Sequence, residues 1–472
     1  MFFSKSLKFS SVLSFAFLCL AAPLHAEAQA APASAAPAPE VTEAAPAPVA
    51  APAPGEPALL AAPAAPAAAP ESAPSKDALL EKAKLEGPTV VVQPGRGLTV
   101  TSLDGKNSIQ IRSRVQIRET YTHDEHADPQ YQNTSELQIR TLRLFVTGSV
   151  LDKDLKYFIQ LAFGANDYET GSASPIFDAF VEYTKLRDAN IRLGQYFVPF
   201  DRARTIREFA LHFVDRQQVV RELNLDRDVG LMFSSIDLFG WGSRLGYHVF
   251  VGSGDGRNRV LDNKNPFGSQ RASVLSVGRL IFKPFGNFDD YDQEGDLSRS
   301  PKLRLAIAGA VGYNYHTDRS NSTFGTIYTA GTFNYTHTAA DMVLKWNGFS
   351  LMTEYLRREA NRNKDTRFVD GKETTQYSRS GWGYFVQAGQ MLTDRLEVTA
   401  RWDDLYADVG TDPEMRRLAR QFGRQVGGGL NYYINGHFFK LQADYFCILS
   451  RAAPDNDLEP RHVVRAQLDA MF

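Results

Sequence analysis

Residues Ser108 to Tyr121 read SIQIRSRVQIRETY. Ile109, Ile111, Val115 and Ile117 fall on one side of an extended chain. Gln110, Arg112, Arg114, Gln116 and Arg118 fall on the other. Successive side chains of a strand point opposite ways, so this strand has one oily face and one cationic face. In a soluble sandwich the oily face turns to a core. In a membrane barrel it turns to lipid, and the polar face meets water in the lumen.

The connections along the chain decide between these two. The alternating texture predicts strands at 108–121, 137–150, 155–164, 176–186, 190–197, 228–237, 242–252, 271–284, 302–313, 330–345, 348–359, 380–391, 395–406, 424–434, 437–449 and 461–472, sixteen in all. Short turns such as Asp152-Lys153-Asp154, Trp346-Asn347-Gly348 and Ile434-Asn435-Gly436 alternate with long polar loops at 122–136, 165–175, 198–227, 253–270, 314–329, 360–379, 407–423 and 450–460. One segment, 285–301, occupies a short-turn slot yet is long. An even number of strands with every long loop at one end is the outer-membrane pattern; a sandwich has no reason to sort its loops. The chain also ends on a strand, where Val464, Ala466, Leu468, Ala470 and Phe472 share one face. A last strand with a terminal aromatic resembles the signal read by the outer-membrane assembly machinery, so that machinery and outer-membrane lipid are expected partners.

The N-terminal quarter has another texture. Lys5 and Lys8 precede the apolar run Val12 to Leu20, which is shorter than the ~20 residues of a spanning helix and reads as a secretory signal over 1–26. Cleavage is expected at Leu24-His25-Ala26 or Ala26-Glu27-Ala28. Residues 27–75 are dominated by Ala and Pro, cannot bury a core, and read as a disordered periplasmic tether. A short helical segment is expected within 76–88, and the barrel domain over 97–472.

The formal charge of -2 becomes -4 once the two signal lysines are removed, which does not suggest a nucleic-acid binder. A mean hydropathy of -0.30 excludes a bundle of membrane helices. Cys447 is the only cysteine left after signal removal, so no intrachain disulfide is expected.

The lumen carries the chemistry. Arg112, Arg114 and Arg118 lie on the polar face of the first strand and Arg143 on that of the second, with Arg192, Arg244, Arg304, Lys440 and Arg465 on polar faces elsewhere. Asp178, Glu182, Glu354, Asp403, Asp444 and Asp469 face inward by the same count. A clustered excess of fixed cations beside a low-dielectric wall raises the local anion concentration, so a modest anion preference is expected and strict selectivity is not. The longest loop, 198–227, is too apolar to hang free and is expected to fold inward as a constriction. Arg202, Arg204, Arg207, Arg216 and Arg221 would stand at that narrowing, or else pair with Asp201, Glu208, Asp215 and Glu222 and fix the loop to the wall. His123-Asp124-Glu125-His126 resembles a metal-ligand set but lies in an external loop; no metal, cofactor or catalytic residue is assigned.

The stretch IFDAFVEYTKLRDANIRLGQYFVPF, residues 176–200, resembles the phosphate-selective porins of the O and P type. Phe213-Val214-Asp215-Arg216, Asp226-Arg227-Asp228-Val229-Gly230, Gly278-Arg279 with Pro284, and Arg465-x-Gln467 add to the likeness. The resemblance implies an all-β, sixteen-stranded antiparallel transmembrane barrel with an inward third loop. It also implies a homotrimer, and conduction of small inorganic anions, often phosphate. The 27–75 tether departs from that pattern, and the inward acids argue against strict phosphate selectivity. Three alternatives stand beside a passive anion channel: unselective permeability, a structural or adhesive barrel closed by the 198–227 loop, and a barrel enzyme. The enzyme would need convergent acids and histidines at one rim.

Overall fold

The structure, a computed structural model, describes residues 87–472 except 126, 165–166, 169–173, 259–272, 330, 370 and 452–459. The expected signal peptide, the tether and residues 76–86 of the expected helical segment lie outside the described residues, as does His126.

Two strands, β1 (Thr89–Gln93) and β2 (Gly97–Thr101), precede the barrel. The barrel wall begins with β3 (Ser108–His123), β4 (Asn133–Val150), β5 (Asp152–Ala162), β6 (Ile176–Tyr183), β7 (Asn190–Phe197), β8 (Arg227–Ser235), β9 (Leu245–Gly252) and β10 (Val274–Phe282). It continues with β11 (Arg304–Thr317), β12 (Phe333–Trp346) and β13 (Phe349–Ala360). A separate hairpin, β14 (Lys364–Val369) and β15 (Lys372–Tyr377), interrupts it. The wall resumes as β16 (Gly381–Met391), β17 (Leu396–Ala407), β18 (Arg424–Asn435), β19 (Phe439–Leu449) and β20 (Arg461–Met471). No described helix is long and apolar enough to cross a membrane; the crossing elements are strands.

Sixteen antiparallel strands close on themselves when β20 pairs with β3, with Gln467 opposite Arg118 and Met471 opposite Arg114. Phe472 finishes the seam: its N–H donates to Ser113 O at 3.0 Å, and Ser113 N–H donates to Phe472 O at 2.7 Å. Closure leaves no unpaired edge, which a bilayer requires of any sheet that crosses it. The ladder to β20 ends there, so residues 108–111 of β3 have a free side. The β2 strand occupies it, with Leu98 opposite Ile111 and Thr101 opposite Ser108.

Alternation places the oily residues outside. Ile109, Ile111 and Ile117 are exposed on β3 while Arg114, Gln116 and Arg118 are buried; on β20, Arg465, Gln467 and Asp469 are buried between outward residues. Tyr313, Tyr315 and Tyr355 on one side of the apolar band, and Phe282, Trp346, Tyr432 and Phe472 on the other, are exposed as aromatic girdles.

Four expectations need correction. Residues 360–379 are not irregular: they hold the β14–β15 hairpin, whose Lys, Asp, Thr and Glu residues on both faces show no oily alternation to read. The 122–136 loop shrinks because β3 runs to His123 and β4 starts at Asn133, the added residues being polar on both faces. The 407–423 loop carries a helix, Pro413–Gln421, capped by Asp412. Arg244 precedes β9 and is an exposed rim residue, because the turn after β8 extends through a short helix, Leu238–Gly240.

Candidate functional site

Nearly every expected wall cation has a fixed partner. Arg114 donates to Asp469 through Nε at 2.8 Å and Nη2 at 2.5 Å, and Gln116 joins the same carboxylate at 2.8 Å. Arg465 is held by Asp444 at 2.7 Å and Asp215 at 2.6 Å, and Arg118 reaches Asp215 at 2.9 Å. Arg143 meets Asp167 and Glu208, both at 3.0 Å, with its guanidinium 4.6 Å from the Phe177 ring. Arg192 pairs with Glu182 at 2.8 Å, and Arg304 with Asp290 at 2.6 Å and with Asp296. Lys440 donates to Phe209 O at 2.8 Å and Leu211 O at 3.0 Å. Arg112 lies 5.5 Å over the Phe145 ring and makes no ion pair with a described residue.

Three of the six inward acids turn out to be acceptors for the backbone of residues 198–226. Glu354 on β13 accepts from Ala203 N–H at 3.1 Å, and Asp444 on β19 from Val214 N–H at 2.9 Å. Asp403 on β17 accepts from Gln218 N–H and, at 3.2 Å, from Val219 N–H at the start of the helix Gln218–Leu223. Asn431 on β18 donates to His212 O at 2.9 Å. These partners stand far around the wall from β7 and β8, where the segment is rooted. Its apolar side chains Phe200, Ile206, Val219, Val220, Leu223 and Leu225, none more than 1% exposed, share a core with Met232, Phe250, Leu275, Leu356, Phe385 and Leu405 from the wall.

Four of the five cations expected in that segment are spent on its own backbone, on Asp226 or on its neighbours. Arg202 donates to Tyr291 O and Gln293 O, and Arg204 to Asp226 at 2.7 Å. Arg207 donates through Nη1 to Asp178 and Gln160, both at 2.9 Å, and Arg216 to Ala203 O and Ile206 O. Burial works against the Glu208 and Asp215 carboxylates. The surrounding guanidiniums, Arg143 and Arg114 for Glu208 and Arg465 and Arg118 for Asp215, override it and hold both well below the usual range. Burial pushes Asp201 up to about 6 against its bond to Arg204 N–H, and lowers Arg216 to about 10.

The long segment in the short-turn slot also has a place. Glu294 N–H donates to Ala210 O at 3.1 Å, and its carboxylate accepts from His212 N–H at 2.6 Å and Gln387 at 2.8 Å. Lys345 donates to Asp290 O and Gly295 O, both at 2.8 Å, and Phe288 is buried against Ala306 and Val343. Residues 198–226 and 283–303, rooted at opposite ends of the barrel, are therefore bonded to each other.

Open space remains beside β3 and β4. One cavity of about 380 Å³ is bordered by Arg118, Gln138, Arg221, Arg401, Arg461 and Arg465. A second, of about 140 Å³, is bordered by Arg118, Arg140, Arg143, Glu208, Arg216 and Arg221. Arg140 and Arg221 make no hydrogen bond or ion pair with any described residue through their side chains. Strict alternation from Arg143 turns Arg140 outward. A bulge reverses this: Gln116 pairs with Thr141 and Ile117 with Ile139, leaving Arg140 as the extra residue, turned to the same cavity as Thr141 and Arg143. Nothing in a single strand's sequence marks that bulge. Among the described residues no group of three His, Cys, Asp or Glu could hold a metal ion.

A closed sixteen-stranded barrel, oily outside and lined with paired charges inside, is the architecture of an outer-membrane porin. The profile of the phosphate-selective porin O and P family matches residues 109–472, and the chain belongs to that family. It is an outer-membrane channel protein of the bacterial envelope. Among solved structures it is similar to OmpF of Salmonella typhi in complex with daunomycin, at 14% identity over 78% of this chain and 98% of that one, with a TM-score of 0.51. An anion-selective porin from Comamonas acidovorans is also similar, at 11% identity, 78% and 100% coverage, and a TM-score of 0.49. The channel DcaP of Acinetobacter baumannii has 11% identity, 79% and 99% coverage, and a TM-score of 0.48. No curated protein sequence matches the chain significantly.

Proposed function

We propose that this porin is a passive diffusion channel preferring small anions, phosphate among them, and that its open path follows the β3–β4 side of the lumen. The observation that carries this is the pair Arg140 and Arg221, two cations whose side chains make no hydrogen bond or ion pair with a described residue, bordering one cavity of about 140 Å³ beside Arg118 and Arg143, with Asp215 as the nearby carboxylate they share. Unpaired fixed charge next to a low-dielectric wall concentrates counter-ions, whereas charge already met by a carboxylate does so weakly. Arg112 and Arg192 continue the path, while Arg114, Arg304, Lys440 and Arg465 serve mainly to hold wall and loop. Residues 198–226 form the constriction, since this segment, rooted at β7, is bonded to Glu354 on β13, Asp403 on β17 and Asp444 on β19. The transport role leaves no need for catalysis. Removal of a signal peptide, a tether at 27–75, display of Phe472 to the assembly machinery and a homotrimer complete the reading.

In a planar bilayer under a salt gradient the reversal potential should favour anions, and a cation-selective value would overturn the proposal. Arg140→Glu combined with Arg221→Glu should lower the anion-to-cation permeability ratio severalfold; an unchanged ratio would take both residues off the ion path. A closed, structural barrel is the second reading, favoured by the apolar core between residues 198–226 and the β8–β17 wall. Absence of conductance from correctly folded protein would select it.

A further inference from the structure

The lumen face of a porin is normally polar, yet a ribbon of rings crosses it here. Phe145, Phe158, Phe180 and Tyr196 stand on the successive strands β4 to β7, followed by Phe250 on β9. Their centroids are 6.3, 5.2, 5.6 and 5.8 Å apart. Tyr196 and Phe250 are accounted for by the core under residues 198–226. Phe158 and Phe180 are not fully buried.

Phe180 and Tyr196 border a third cavity, about 360 Å³, near the short-turn end of the barrel, with Met232, Ile281 and Tyr291 among its other walls. The 140 Å³ cavity beside Arg140, by contrast, has only Leu211 and Val214 as apolar lining. Two guanidiniums face the larger space with donors to spare. Arg192 uses Nε and Nη2 on one oxygen of Glu182, leaving Nη1, and Arg207 uses only Nη1, leaving Nε and Nη2. Their side chains are 27% and 31% exposed. His248 also borders the space, and its Nδ1 has no partner among the described residues.

An inorganic anion needs no aromatic wall. A cavity of this size, which sets aromatic and aliphatic walls beside convergent guanidiniums, with Glu182, Asp201 and Asp292 also on its border, combines the apolar surface and fixed polar groups that a site for a small organic molecule needs, and the guanidinium fork matches a carboxylate. Resting on the channel reading above, we propose that this cavity is a subsite for organic anions that carry one carboxylate on a compact aromatic body, of the benzoate class.

The test compares benzoate with acetate as blockers of the chloride current in a planar bilayer. Burial of the ring should let benzoate block at about a tenfold lower concentration. Phe180→Ala should erase most of that difference, and Arg207→Gln should weaken both blockers alike. Equal block by the two acids in the unmodified protein would overturn the proposal. Equilibrium dialysis of the detergent-folded protein with labelled benzoate needs neither a variant nor a conducting channel. Saturable binding resistant to equal acetate supports the subsite. Its absence, or displacement by phosphate as readily as by unlabelled benzoate, overturns the subsite. A protein that binds benzoate but never conducts would sink the channel reading alone.

Discussion

Asp201 shows how one residue's burial becomes a pH effect. Its Oδ1 caps the helix Arg202–Thr205 by accepting from Arg204 N–H at 2.5 Å, while burial holds its pKa at about 6. The folded state thus binds a proton more tightly than the unfolded chain, whose aspartate titrates near 4. Stability linked to this group is present at low pH and is lost as pH rises from about 4 through 6. Asp201→Asn keeps the cap and removes the charge, so it should stabilise the fold by about 1 to 3 kcal/mol at pH 8 and have little effect at pH 4. Urea unfolding at the two pH values checks this; equal effects at both would refute it. Glu208 and Asp215 work in the opposite sense. Their depressed values mean that the stabilisation by their arginine partners is complete above the ordinary carboxylate range and is lost progressively as pH falls below it.

At the scale of elements, the 283–303 segment holds residues 198–226 in place through Glu294. Glu294→Ala leaves the N–H of His212 without its acceptor, at a cost of about 1–3 kcal/mol for that buried donor, and leaves the Gln387 amide N–H groups with His212 Nδ1 alone. The variant should assemble yet show noisier, larger single-channel currents and faster protease cleavage within 198–226. Wild-type current noise and cleavage rates would remove Glu294 from this role. Little of this was legible beforehand. The length of 285–301 stood out in its slot, but its partners in 198–226 are 80 or more residues away in the chain, and no local pattern encodes so distant a bond. The inward acids Glu354, Asp403 and Asp444 were legible as inward. Their use as acceptors for loop N–H groups was not, because that depends on where the loop's backbone comes to rest.

For the whole molecule, closure rests on sixteen ladders, none of which involves β1 or the β14–β15 hairpin. Deleting residues 89–101 should therefore leave a barrel that still migrates as a compact species before heating and unfolds on boiling. Loss of that behaviour would show that the β2–β3 contact is needed for assembly. The sixteen wall strands, the sorting of long loops to one end and the place of Phe472 at the end of the last strand follow from the sequence by itself, because a period of two and a membrane's demand for closed hydrogen bonding are local rules repeated sixteen times. Which arginines stay free is settled only in three dimensions. Arg114 and Asp469 are 355 residues apart in the chain yet form a bidentate pair. Arg140 faces inward through a bulge, and Arg221 makes no ion pair with a described residue, since Arg118 and Arg465 take the Asp215 oxygens. Charge neutralisation depends on distances of a few ångströms across a closed sheet, and those distances exist only once the last strand has met the first.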